Sequence, residues 1–80
     1  MDINNIITID PDIQFGTPVF TGTRVPIESL FWHLEEGVSL DDFLNDFPSV
    51  QREQAVALLE LAQKAVSSPT LLHLLNETAA

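Results

Sequence analysis

The sequence predicts a mainly α-helical domain: a helix-turn-helix-like three-helix bundle with a short N-terminal β element and a short C-terminal helix. Three observations carry this reading. Apolar residues recur at helical spacing from residue 27 onward. The stretch from Phe15 to Leu30, FGTPVFTGTRVPIESL, concentrates two glycines, two prolines and four Thr or Ser residues just ahead of the first helix. A β-branched run, Ile6 to Ile9, stands near the N-terminus and is stopped by Asp10-Pro11-Asp12.

Taken in order, Met1 to Asn5 reads as a frayed end and Ile6 to Ile9 as a strand. Ile13 and Phe15 are expected to be buried anchors within a loop. Pro18-Val19-Phe20 is a second short extended piece, and Thr21-Gly22-Thr23 the turn that follows it. Gly16 and Gly22 tolerate positive φ, and Pro18 and Pro26 fix theirs.

The first helix is expected from Pro26, at the favoured first helical position, to Glu36. Ile27, Leu30, Phe31 and Leu34 form its apolar stripe, and Gly37 stops it. The second runs from Leu40 to Phe47, with Ser39 as N-cap, Asp42 three residues on in a capping-box arrangement, and Pro48 as its end. The third covers Arg52 to Val66 and is apolar around most of its circumference. Such a helix is central to a core or covered by another chain. An 80-residue monomer hardly surrounds it, so a homodimer is expected, with Val56, Leu59, Ala62 and Val66 at the interface. Ser67-Ser68-Pro69 breaks and restarts the chain, giving a helical domain over residues 1–66 and a leucine-rich tail over residues 67–80. Leu71, Leu72, Leu74 and Leu75 lie on that last helix, which is too short to be stable alone in water.

Composition narrows the function. Eighty residues make one domain, and a chain this short buries only about 60–65% of its unfolded surface. No apolar run approaches the length of a membrane span, and the acidic N-terminus does not read as a secretory signal. The absence of cysteine excludes disulfides, thiolate metal sites and Cys nucleophiles, and leaves a cytoplasmic protein as the expectation. Twelve acids against three bases (Arg24, Arg52 and Lys64) give a net charge of −9. Such a surface repels nucleic acid and anionic lipid and attracts a basic protein. The surplus acid either provides solubility alone or forms a docking patch.

No catalytic constellation, metal set or cofactor-binding loop is legible. His33 and His73 are forty residues apart, and Asp10 and Asp12 are ordinary turn residues beside a proline. The acids that stand out are Glu35 and Glu36, in the last turn of the first helix where its dipole disfavours them, and Asp41 and Asp42, at the favourable start of the second. They make an acidic corner that is either a solvated face or a dock for a Lys/Arg-rich protein. On a helix-turn-helix reading, Gln51, Arg52 and Gln54 are the first exposed residues of the recognition helix and are types that read base edges. Glu53 among them and Asp41 and Asp42 nearby oppose that role.

Asp10-Pro11, Phe15-Gly16-Thr17-Pro18-Val19, Gly22-Thr23-Arg24-Val25-Pro26, Gly37-Val38-Ser39 and Phe47-Pro48 carry a resemblance. From about Ile6 to Ala62 the chain resembles the domain of unknown function 433 family. The resemblance implies a small VapB-type antitoxin that binds and blocks a PIN-like ribonuclease toxin, with promoter binding in complex with that toxin. Its signature loop maps to Gly16, Pro18, Gly22, Thr23, Arg24 and Pro26. Arg24 either pairs with Asp10 or Glu28 or contacts the partner. The pattern departs at Gln51, where members often carry Thr or Ser as a helix cap; Gln caps poorly, which leaves the third helix looser at its start or capped by Ser49. The leucines after Ser67 lie beyond the resemblance and either dock on the toxin, close the dimer, or pack back on the bundle. An autonomous DNA-binding repressor, or an interaction module without a toxin, are the competing functions.

Overall fold

The structure, a computed structural model, describes residues 1–79, with side chains described for residues 1–76. A 3-10 turn at Ile3–Asn5 leads into β1 (Ile7–Thr8). A second at Gln14–Gly16 precedes β2 (Val19–Phe20). Four helices follow: α1 (Glu28–Glu35), α2 (Leu40–Asp46), α3 (Arg52–Val66) and α4 (Pro69–Ala79). The chain is thus mainly helical with a short N-terminal sheet.

β1 and β2 pair antiparallel, Ile7 opposite Phe20 and Thr8 opposite Val19. Val19 also bridges Pro26. Here the structure corrects the sequence reading. Pro26 is not the first residue of a helix, because its neighbours are engaged by β2: Phe20 N donates to Val25 O and Ile27 N to Pro18 O. A residue without an N–H suits this edge position. The helix therefore starts two residues later, at Glu28.

α1 buries Leu30 and ends in a reciprocal pair of hydrogen bonds, Val38 N to His33 O and Gly37 N to Leu34 O, around Gly37 at φ +81°. That is the Schellman ending, and it requires the left-handed residue that glycine supplies. α2 begins as its sequence indicates, with the Ser39 hydroxyl accepting from Asp42 N. α3 turns Gln54, Ala55 and Leu58 inward.

Phe20, Phe43, Leu30 and Val19 are completely enclosed, and Ile6, Val50, Ala55 and Leu58 complete the buried apolar set. One hydrophobic centre is therefore assembled from the N-terminal segment, β2 and three helices; among the described side chains α4 adds none of its fully buried residues. Phe43 sits at the middle of an aromatic cluster, with ring centroids 4.9 Å from Phe47, 5.2 Å from His33 and 6.3 Å from Phe20. His33 is part of this packing: its Nδ1 donates to Ser29 O at 2.6 Å, and its edge meets Phe43 and Phe47.

The expectation that Phe15 is a buried anchor fails. Its side chain is 98% exposed, whereas Ile13 is half-buried. Gln14, Phe15 and Gly16 all take positive φ (50°, 57° and 85°), which turns the ring outward. No helix among the described residues is long and apolar enough to cross a membrane.

Candidate interaction surface

The signature loop is built around three threonines and a glutamine. Gly22, at φ +81°, allows the tight reversal after β2. The Thr23 hydroxyl spans it, donating to Phe20 O at 2.8 Å and accepting from Val25 N at 3.0 Å. The Thr21 hydroxyl donates to Asn4 O at 2.9 Å. Its single proton is thereby committed, so in its 2.9 Å contact with Thr8 it is Thr8 that donates. Gln54 closes the arrangement from α3. Its Nε2 donates to Asn5 O (3.0 Å) and Thr21 O (2.9 Å), while its Oε1 accepts from Gln51 N (3.0 Å). One side chain thus ties the N-terminus, the signature loop and the start of α3 together.

This latch overturns two expectations. Gln54 is not an exposed reader of base edges: it is 6% exposed, with its amide hydrogen-bonded at both ends. Nor is the start of α3 capped by Ser49, which is exposed; the Gln51 N–H is satisfied by Gln54. Gln51 and Arg52 remain exposed at the helix entrance. Arg52, however, forms an ion pair with Asp41 at the start of α2.

Arg24 stands exposed at the tip of the signature loop. Among the described residues no carboxylate lies within 4.0 Å of it, so the expected ion pair with Asp10 or Glu28 is absent. The reason is local: Thr23 and the Val25 carbonyl hold the turn by themselves, and Asp10 is occupied in its own turn, accepting from Asp12 N at 2.9 Å. Gly16, Pro18, Thr23 and Pro26 are half-buried and act on the backbone path.

Glu35, Glu36, Asp41 and Asp42 are all exposed. Asp41 is partly neutralised by Arg52, so the acidic corner is carried by the other three. Next to it lies an open groove of about 280 Å³ lined by Trp32, His33, Glu36 and Val38. Trp32 is 56% exposed. Sequence reasoning passed over it, although its position off the Leu30–Phe31–Leu34 stripe was the available signal.

The residues expected at a dimer face do not form one open surface. Leu59 packs against the chain's own core, Ala62 is half-buried, and Val56 and Val66 are exposed. Val56 lies two positions from Leu58 and so on the other side of the helix. On α4, whose start is marked by the Ser68 hydroxyl accepting from Leu71 N at 3.3 Å, Leu71 is half-buried while Leu72, Leu74 and Leu75 are exposed. Of these four leucines only Leu71 is partly covered, and none is fully buried.

Fold and surface together define a small, mainly helical domain with a two-stranded N-terminal sheet, an ordered, outward-facing loop and an acidic helix corner. It belongs to a known family: the model for "Protein of unknown function (DUF433)" matches residues 7–62. The chain is similar to "Uncharacterized protein y4eO" of Sinorhizobium fredii (strain NBRC 101917 / NGR234), with 41% identity over 49 residues, covering 61% of this chain and 22% of that protein. It therefore spans about a fifth of that relative's length. No solved structure matches the chain.

Proposed function

We propose that the protein is an antitoxin of a type II toxin-antitoxin pair, which binds a PIN-like ribonuclease and covers its RNA-binding surface. The observation that carries this reading is the charge distribution. The chain has a net charge of −9, and its three bases are spread along it: Arg24 on the signature loop, Arg52 paired with Asp41 at the start of α3, and Lys64 near the end of the same helix. An RNase must present a basic surface to its substrate, and an acidic protein is complementary to it.

A helix-turn-helix-like reading of α1 to α3 is favoured by one feature, the short turn between α2 and α3. Promoter repression would then depend on the basic toxin for phosphate contacts, since the antitoxin offers few. The protein acts in the cytoplasm, as a homodimer, in this reading.

The test is co-expression with the PIN-like reading frame adjacent to this one in its genome. A stable complex and loss of RNA cleavage at stoichiometric antitoxin are expected. Undiminished cleavage with no complex would defeat the proposal. A gel shift of the shared promoter is expected with the complex, and tight duplex binding by the bare chain at physiological salt speaks for an autonomous repressor instead.

A further inference from the structure

We infer that Phe15 is the anchor by which the chain grips its protein partner, its ring filling an apolar pocket rimmed by basic residues. This rests on the reading of the protein as a cover for a basic nuclease, and it names the side chain that makes the contact.

Phe15 is the most exposed large hydrophobic side chain, at 98%. Aromatic residues are the commonest anchors of protein interfaces, because each removes a large area from water on entering a pocket. The ring contributes nothing to the core of this domain.

Its backbone is held in an unfavourable state. Gln14 and Phe15 take φ of 50° and 57°, the left-handed region that residues with side chains avoid. The loop enforces it: Ile13 N donates to Asp10 O, Gly16 N to Ile13 O and Thr17 N to Gln14 O, at 2.9 to 3.1 Å. The ring is thus presented on a hydrogen-bonded backbone, and little backbone freedom remains to be lost when a partner closes over it.

The surroundings select the partner. Gly16 lies over Pro11, where an added Cβ would stand 3.9 Å from the Pro11 Cα. Asp12 is exposed three positions before Phe15, and Asp10 closes the preceding turn through Ile13 N. An apolar knob on this acidic chain is complementary to an apolar pocket with a basic rim. At this loop a second copy brings the same carboxylates and is repelled, so the homodimer of that reading forms through another face.

The experiment uses Phe15→Asn, because Asn tolerates left-handed backbone, together with Asp12→Asn. Affinity for the neighbouring PIN-like nuclease is measured by calorimetric titration, with thermal melting and sedimentation on the same samples. Phe15→Asn is expected to melt at or above the wild-type temperature while binding at least about tenfold more weakly, as for an anchor residue. Asp12→Asn is expected to flatten the salt dependence of binding. Wild-type binding with Phe15→Asn within about twofold of it would overturn the inference and leave the nuclease reading standing. A clear drop in melting temperature would overturn it too, since the ring would then serve the fold. Loss of a wild-type dimer in Phe15→Asn, with nuclease binding intact, would assign the pocket to a second copy and refute the inference. A wild-type chain that ignores the nuclease removes both readings.

Discussion

Gln54→Ala removes three hydrogen bonds at once and is the sharpest test of the latch. The wild-type amide satisfies Asn5 O and Thr21 O, and its oxygen satisfies Gln51 N. All three bonds are part-buried, and each is worth about 1 kcal/mol net, more where the abandoned group stays dry. The expected destabilisation is about 2–4 kcal/mol. In a domain of this size that lowers the melting temperature by about 10–25 °C. Circular dichroism melts and urea titrations give the answer. A melting temperature within about 3 °C of wild type would refute the reasoning, because the bonds would then carry no net weight.

Gln54→Glu separates the hydrogen bonds from the packing. It keeps the shape and one acceptor but places a second oxygen against two carbonyls. In that dry site the carboxyl favours its protonated form, which can still donate one bond. The folded variant then holds its proton over a pH range where the unfolded chain has lost it, so stability falls as pH rises. Measured against wild type at each pH, the deficit is expected to be small near about pH 4 and complete at neutral pH.

Two further outcomes follow from the same structure. Thr23→Val deletes the hydroxyl that bridges Phe20 O and Val25 N; a loss of about 1–2 kcal/mol in a urea titration is expected, with Thr23→Ser close to wild type. Arg52→Ala breaks the pair with Asp41, whose side chains are 56% and 73% exposed. It should cost no more than about 1 kcal/mol, with the difference vanishing at high salt.

Much of the helical architecture was legible because its signals act over a few residues. Ser39 caps α2 as its type and position indicate, Gly37 ends α1, and α3 spans Arg52 to Val66 as its apolar spacing indicates. The two extended pieces were legible from their β-branched and Pro-Val-Phe composition. What failed did so for lack of a partner in view. Pro26 has the local signature of a helix start, but β2 claims its neighbours. Phe15 has the type of a core residue, yet three consecutive left-handed residues turn it out. Gln54 looks like a solvent-facing polar residue and is one of the most enclosed.

The sequence alone determined the existence and order of the helices, the caps at Ser39 and Gly37, the glycine turns of the signature loop and the acidic charge, because capping, periodicity and glycine geometry are properties of near neighbours. Only the tertiary structure decided which polar group would be taken inside and which ring left in water. Gln54 is satisfied by carbonyls 49 and 33 positions away, and Thr21 by one 17 positions away. A side chain's local type sets what it can bond or bury, but whether it does depends on which distant segment the fold brings against it.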